Sequence, residues 1–139
     1  MEETNTQLRR AGTRLRTQHE AVIGSIDDCA ERVATSWADD RVGDRRLVVE
    51  PFRTTLEDRG VLAELPTVLA DVVEHLGYDL PATPVAAPPY VVVTSRGLLL
   101  RATLPPGRLV IAVECFEVCR DPDPFYRRPE GATVDVELE

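Results

Sequence analysis

The C-terminal half of the chain alternates between apolar runs and short breaks in a pattern that predicts consecutive antiparallel strands. Three runs, at residues 90–95, 98–104 and 109–118, are rich in Val, Leu, Ile and Thr, and Gly or Pro separates them, which is typical of a β-meander. A fourth strand is predicted at residues 133–138, where apolar and polar residues alternate strictly. Its charged outward positions suit an edge strand, because charges there discourage pairing with another molecule.

The two tight connections set the predicted register of the meander. A two-residue loop at 96–97 joins the first two runs, since its Gly supplies the backbone freedom that hairpin turns require. The connection at 105–108 counts as three or four residues, and the four-residue loop gives one face that is apolar throughout. On the other face this register places Arg101 diagonal to Glu114, within reach of an ion pair. The predicted apolar face comprises Leu98, Leu100, Ala102, Leu104, Leu109, Ile111, Val113 and Cys115.

The N-terminal half shows helical periodicity instead. In residues 19–38 apolar side chains recur every three or four positions, which predicts an amphipathic helix. The same stripe continues back through Leu15 and Leu8, so a single long helix over 6–39 is an alternative. The stripe consists of Val22, Ile26, Cys29, Ala30, Val33 and Trp37.

Two segments that contain proline complete the helical half. Residues 45–59 include Pro51 and allow two interpretations, a short strand followed by a helix or one kinked helix, of which we prefer the single helix. Residues 61–76 show the spacing of another helix that ends at Gly77, with Pro66 in its first turn and residues 61–64 as a separate short turn.

Helices followed by strands predict an α+β fold, in which the N-terminal helices pack on one face of a three- to four-stranded antiparallel meander. We expect the helix over 19–38 to cover the apolar face of the sheet. A length of 139 residues suffices for one domain. Within it we distinguish a basic N-terminal arm or helix extension, residues 1–18, from a single α+β domain, residues 19–139.

Composition indicates the environment of the protein. The sequence contains no lysine, its 16 basic residues are all arginine, and its net charge is −8. This acidic, lysine-free composition resembles that of proteins from salt-accumulating halophilic archaea, whose dense carboxylates keep the surface hydrated. No run approaches the roughly 18 apolar residues of a membrane span, and the three irregularly spaced cysteines fit a reducing compartment. We therefore expect a cytoplasmic protein without a membrane contact.

Motifs that carry catalytic or ligand-binding chemistry are few. Cys115 and Cys119 lie in one predicted strand, about 13 Å apart and beyond the reach of a disulfide or a shared metal. His19 and His75 supply neither the number nor the spacing of ligands that a zinc site requires. The sequence contains no phosphate-binding loop and no nucleophile elbow. It therefore leaves enzymatic activity uncertain but disfavours it, and it predicts no catalytic residue, cofactor or metal.

Charged and aromatic side chains define the candidate interaction surface. Residues 7–18 contain four arginines and no acid, which suits an arm that contacts nucleic acid or an acidic partner, although a solvated extension is the plainer interpretation. Near the C-terminus arginines and aromatic side chains combine, so that a base or an aromatic ligand can stack there. The plainer interpretation is that this segment folds over the open face of the sheet and that its arginines pair with Glu114 or Glu117. The candidate residues are Arg9, Arg10, Arg14, Arg16, Arg101, Glu114, Tyr126, Arg127 and Arg128.

Four short motifs in the C-terminal half carry a resemblance to a known family. They are PPYVVVTSRG at 88–97, LRATL at 100–104, GRLV at 107–110 and FEV at 116–118. With a looser match over 51–80, the chain resembles an uncharacterised family of small haloarchaeal proteins. Because that family has no known activity, the resemblance implies no function and no site residues.

These observations favour a non-catalytic protein-interaction or regulatory module of a halophilic archaeon, whose partner is another protein or a second copy of the chain. The first alternative is a nucleic-acid-associated regulator that uses the N-terminal arginines. The second is a small-molecule-binding domain or enzyme on the open face of the sheet, with a site around Arg101, Glu114, Tyr126 and Arg127.

Overall fold

The computed structural model describes residues 2–120 and 122–139, and it confirms the predicted α+β fold. The helices are α1 (Glu2–Thr17), α2 (Glu20–Thr35), α3 (Arg46–Asp58) and α4 (Val61–His75). The strands are β1 (Arg41–Val42), β2 (Val91–Thr94), β3 (Gly97–Leu104), β4 (Gly107–Glu114), β5 (Glu117–Cys119), β6 (Phe125–Arg127) and β7 (Thr133–Leu138). In this described part of the chain no helix is long and apolar enough to cross a membrane.

The alternative interpretation of residues 6–39 as one long helix is wrong, because the chain turns at His19 and forms the two helices α1 and α2. His19 leaves the helical conformation with φ −110° and ψ 20°. Its ring is held by the Asp71 carboxylate on α4 through a 2.6 Å hydrogen bond. The turn allows both helices to contribute to one core, since Leu15 of α1 and Ile26 of α2 are fully buried.

Both helical prolines lie inside helices. The preferred interpretation of residues 45–59 is confirmed, since α3 runs through Pro51 as a single helix. α4 begins at Val61, so Pro66 lies in the interior of the helix. The prediction that Pro66 lies in the first turn is therefore wrong. The buried side chains of Val61 and Leu65 hold the start of α4 on the core, which offsets the backbone hydrogen bond that proline cannot make.

The main sheet has four antiparallel strands in the order β2-β3-β4-β7, and the predicted edge strand at 133–138 is confirmed as β7. Both hairpin registers differ from the prediction by two residues, since Thr94 pairs with Gly97 and Leu104 pairs with Gly107. A Cβ atom on either glycine would overlap a carbonyl oxygen of the adjacent segment. The glycines are therefore required within the ladder, and each loop has only two residues.

A shift by two residues preserves the faces of the strands but changes which side chains are neighbours. All eight residues of the predicted apolar face are buried, so that prediction is confirmed. Arg101, however, lies opposite Val110, and Glu114 lies opposite Gly97. Glu114 is therefore displaced from Arg101 by four residues along β3, or about 13 Å. The prediction of an ion pair between them is wrong.

The strand predicted over 109–118 is interrupted at Cys115 and Phe116. Their backbone N–H groups both donate to the Arg96 carbonyl, at 2.7 and 3.0 Å. After this bend the chain enters a second, three-stranded sheet of order β1-β6-β5. Phe116 anchors the bend, because its ring lies edge-on to that of Phe52 on α3, with centroids 5.3 Å apart.

The helices cover the main sheet in an arrangement that differs from the expected one. α1 packs on β7, α4 on β3 and α3 on β2, whereas α2 packs mainly against α3. The expectation that α2 covers the sheet is therefore wrong, because the turn at His19 gives that position to α1. The opposite side of the main sheet is at least partly exposed, and we call it the open face. It is formed by Tyr90, Val92, Thr94, Leu99, Arg101, Thr103, Arg108, Val110, Ala112, Glu114, Thr133, Asp135 and Glu137.

Candidate functional site

Two arginines of the predicted interaction arm tie α1 to α4. Arg14 donates from Nε and Nη2 to the two carboxylate oxygens of Asp71, at 2.9 and 3.0 Å. Arg10 donates to the His75 carbonyl oxygen at 2.8 Å, which satisfies a carbonyl at the end of α4 that has no helical partner. The remaining arginines of the segment, which are exposed, are Arg9 and Arg16.

The surroundings of Asp71 stabilise its ionised form. The hydrogen bond from Arg14 lowers the pKa of Asp71 from its ordinary value of 3.8 to about 2, and the bond from His19 acts in the same direction against the effect of partial burial. His19 Nε2 lies 2.6 Å from the carboxylate oxygen that also accepts from Arg14 Nε. The cluster is therefore a structural junction between α1, the turn that follows it and α4.

The aromatic and basic residues near the C-terminus lie in the second sheet. Tyr126 is only 9% exposed. Arg127 Nε donates to Glu117 Oε2 at 2.6 Å, as the plainer interpretation of the sequence predicts. The Arg41 guanidinium stacks over the Phe125 ring, 4.7 Å from its centroid, and covers the aromatic face with a cation. These side chains stabilise the small sheet.

Arg128 connects α2 to the bend that follows β4. Its side chain is only 9% exposed. Nη1 donates to the Cys115 carbonyl at 2.7 Å, and Nη2 donates to the carbonyl of Asp27 at 3.2 Å and to its carboxylate. Nε lies 3.3 Å from a Glu31 carboxylate oxygen but is not aligned to donate. Arg128 is therefore held inside the fold.

The structure does not bring together the four residues of the small-molecule site considered from the sequence. Arg101 and Glu114 lie on the open face of the main sheet, four residues of ladder apart. Tyr126 and Arg127 lie in the other sheet.

Arg101 instead lines a cavity of about 300 Å³ at one corner of the open face. Its polar side chains are Arg101, Arg108, Thr103 and Tyr90, and no carboxylate lines it. In residues 2–120 and 122–139 neither arginine forms an ion pair. The cavity is lined by Leu80, Pro81, Pro89, Tyr90, Arg101, Ala102, Thr103 and Arg108.

The register of β3 and β4 brings the two arginines together. Thr103 pairs with Arg108 and Arg101 pairs with Val110, so Arg101 and Arg108 are diagonal neighbours on one face, within reach of a common ligand. The four-residue loop predicted from the sequence placed Arg108 in the loop, which is why this residue was missed. Counting only the two prolines as the loop recovers it.

The ladder between β2 and β3 ends beside the cavity. The Arg101 N–H donates to the Tyr90 carbonyl at 2.8 Å, and the alternation of an antiparallel ladder directs the Thr103 N–H to the same side. Pro88 and Pro89, which precede Tyr90, have no N–H to donate to the Thr103 carbonyl, and in the described segments neither of their carbonyl oxygens accepts from the Thr103 N–H. The Thr103 N–H is therefore a donor that the ladder with β2 does not use.

The cysteines are free thiols. Cys29 and Cys115 are fully buried, and burial raises the pKa of Cys115 to about 12 and that of Cys29 above its ordinary 9.0. Cys115 lies at the bend, and the half-buried Cys119 lies in β5. The prediction that both cysteines lie in one strand is therefore wrong. The residues that the structure describes contain no group of three or more His, Cys, Asp or Glu side chains placed to hold a metal ion.

A family model described as a domain of unknown function, DUF7988, matches residues 9–139. The chain belongs to this family. The match includes both sheets, most of α1 and the cavity of the open face, so these features lie within the DUF7988 domain. Searches of curated proteins and of solved structures found no match. A function for this DUF7988 domain therefore has to be argued from its own residues.

Proposed function

We propose that the protein is a non-catalytic protein-interaction or regulatory module that binds its partner with the open face of the main sheet. The observation that carries this proposal is the pattern of side chains on that face. Its centre is apolar and half-buried, whereas arginines occupy one corner and carboxylates follow the β7 edge. An apolar patch with a polar rim is typical of a surface that contacts another protein. The apolar centre consists of Val92, Leu99, Val110 and Ala112.

The chemistry of the open face suits a protein that presents carboxylates beside an apolar contact. Arg101 and Arg108 complement carboxylates, and complementary charges fix the orientation of two partners. A second copy of this chain meets the same description, since Asp135 and Glu137 lie on its own open face.

Nucleic acid is the second candidate partner, through the N-terminal arginines. Two of the four, Arg10 and Arg14, are bonded to α4, which leaves Arg9 and Arg16 for phosphate contacts. Affinity for phosphates falls as salt rises, and two contacts supply little of it at molar salt. The contacts of α1 therefore favour a protein partner over nucleic acid.

A small ligand is the third candidate, and one specific observation favours it. The cavity between Tyr90 and Arg108 combines two arginines with no carboxylate in its lining.

We also propose that the protein works in the cytoplasm of a halophilic archaeon. The support is compositional: 16 arginines, no lysine and a net charge of −8. At about 1 M salt the Debye length is about 3 Å, so only groups in direct contact attract one another appreciably. The proposed complex should therefore survive molar KCl.

Isolation of the tagged full-length chain from a haloarchaeal lysate at molar KCl tests the proposed function. We expect a stoichiometric protein in the eluate, identified by mass spectrometry, or a dimer of the purified chain in light scattering. Nucleic acid in the eluate, lost when Arg9 and Arg16 are both changed to Gln, would favour the second candidate instead. A monomer that elutes alone contradicts the proposal.

Deletion of residues 1–18 is a poor test of an interaction arm. It removes Ala11 and Leu15, which are fully buried in the core, and it breaks the bonds of Arg14 to Asp71. The loss of a partner after this deletion would therefore report unfolding as readily as a missing contact.

A further inference from the structure

We infer that the cavity at the corner of the open face binds a small oxyanion, meaning a ligand that carries a carboxylate or phosphate group. The inference extends the proposed function by assigning a ligand to the same face, but it stands on the geometry of the cavity alone. It therefore does not require the protein partner to exist.

The polar groups at the cavity favour a ligand that accepts hydrogen bonds. The guanidinium groups of Arg101 and Arg108 only donate, and the hydroxyl groups of Tyr90 and Thr103 both donate and accept. The Thr103 N–H adds a main-chain donor at the edge where the ladder with β2 stops. Carboxylate and phosphate oxygens are the acceptors that a planar guanidinium binds with two parallel hydrogen bonds.

The charge around the two arginines also points to an anion. Among residues 2–120 and 122–139 the arginines that form ion pairs are Arg14, Arg46, Arg127 and Arg128. Arg101 and Arg108 form none, and no carboxylate lines their cavity, so both guanidinium groups are available to a ligand.

The acids nearest to Arg108 on this face lie across β4 and do not line the cavity. Glu139 faces Arg108 through two main-chain hydrogen bonds of 2.8 and 2.9 Å, and Glu137 faces Val110. Their charges offset part of the positive potential, so direct hydrogen bonds rather than long-range attraction must select the ligand. Such contacts also persist in concentrated salt, where the Debye length is about 3 Å.

The size and walls of the cavity limit the ligand further. A volume of about 300 Å³ lies at the lower end of the range for small-molecule sites. Leu80, Pro81 and Pro89 add apolar side chains to the lining. These dimensions suit a phosphorylated metabolite or a di- or tricarboxylate with a short carbon skeleton, rather than a dinucleotide.

Calorimetric titration of the purified full-length chain tests the site, with inorganic phosphate, pyrophosphate and citrate as separate probes at constant ionic strength. We expect saturable 1:1 binding of at least one probe, and at least a tenfold loss of affinity in each of the variants Arg101→Gln and Arg108→Gln. Arg96→Gln is the matched control, because Arg96 is exposed and lies outside this cavity, in the β2–β3 loop. Circular dichroism of each variant verifies the fold.

The outcomes distinguish the two sources of the oxyanion. Binding of citrate without phosphate assigns a carboxylate ligand, and binding of phosphate or pyrophosphate without citrate assigns a phosphorylated one. Absence of saturable binding of all three probes up to about 10 mM overturns the inference, and so does an equal loss in Arg96→Gln. A second copy of the chain is the only candidate partner in this titration, so light scattering of the same samples reports self-association independently of oxyanion binding. Failure of the titration therefore leaves the proposed protein interaction to be judged separately.

Discussion

Arg14 on α1 donates two hydrogen bonds to the Asp71 carboxylate on α4, from Nε at 2.9 Å and from Nη2 at 3.0 Å. This planar pairing fixes both the distance and the orientation between two helices that are 57 residues apart in sequence. It also turns part of the basic segment at the N-terminus into a structural element of the fold.

Changing Asp71 to Asn should destabilise the protein at neutral pH by about 1 kcal/mol, because the pair is partly exposed and solvent screens it. The folded state lowers the pKa of Asp71 from 3.8 to about 2, so its contribution is fully present above pH 3.8 and is lost as the pH falls through about 2. The difference in urea unfolding between wild type and variant should therefore shrink as the pH falls from 3.8 and vanish below about 2. Asp79→Asn, at an exposed position, is the control, and a difference that is undiminished at pH 2 contradicts the assignment.

The sequence was sufficient to predict the main sheet and the side of it that the helices cover. The apolar faces of the strands follow from strict alternation, and they survive a register error of two residues because the side-chain period is two. The register itself was missed because Gly97 and Gly107 were taken as turn residues, whereas close approach of a carbonyl oxygen requires glycine inside the ladder. Single-sequence periodicity carries no information about such contacts between strands.

The candidate site was predicted less well than the fold. Arg101 was identified, but Arg108 was placed in a loop and therefore not proposed. The sequence indicated the pairing of Arg127 with Glu117, but not that of Arg128 with Asp27, which precedes it by 101 residues. The second pairing depends on how α2 meets the second sheet, which no local pattern reveals.

Leu100 tests the packing of the helices on the main sheet. The side chain is 1% exposed on the face that the helices cover, so Leu100→Ala should cost about 2 to 5 kcal/mol through lost burial and the cavity it leaves. Guanidinium unfolding measures this loss. Val85→Ala, at a position that is 55% exposed, should change stability by less than about 0.5 kcal/mol. A loss below about 1 kcal/mol for Leu100→Ala would contradict the assigned face.

Two glycine substitutions should have opposite effects. Gly97→Ala should lower the free energy of unfolding by about 2 kcal/mol or more, because its Cβ overlaps the Val113 carbonyl oxygen and its φ of 147° is strained for alanine. Gly24→Ala in α2 meets no atom within 4 Å and should raise that free energy by about 0.5 to 1 kcal/mol, since alanine restricts the unfolded chain. Thermal unfolding compares the two variants, and destabilisation by Gly24→Ala together with a neutral Gly97→Ala would refute the register.

The three cysteines should differ in their reactivity towards a thiol reagent at about pH 8. Burial raises the pKa of Cys115 to about 12 and also raises that of Cys29, so neither should be labelled in the native protein. Cys119 is half-buried in β5 and should react slowly. Mass spectrometry should find one labelled thiol in native protein and three after denaturation. Rapid labelling of Cys115 in the native state would show that the bend after β4 is open.

Two serine variants test whether the open face is the contact surface of the protein. Leu99→Ser removes an apolar side chain from the centre of the open face, whereas Leu47→Ser changes one on α3 that is 48% exposed. Each tagged chain is isolated from a haloarchaeal lysate at molar KCl, and mass spectrometry identifies and quantifies the protein that co-purifies with it. Light scattering of each purified chain measures self-association. We expect wild type and Leu47→Ser to retain the same stoichiometric partner, or the same dimer, and Leu99→Ser to lose at least nine tenths of it. Equal recovery with all three chains, or loss with Leu47→Ser alone, would contradict the claim.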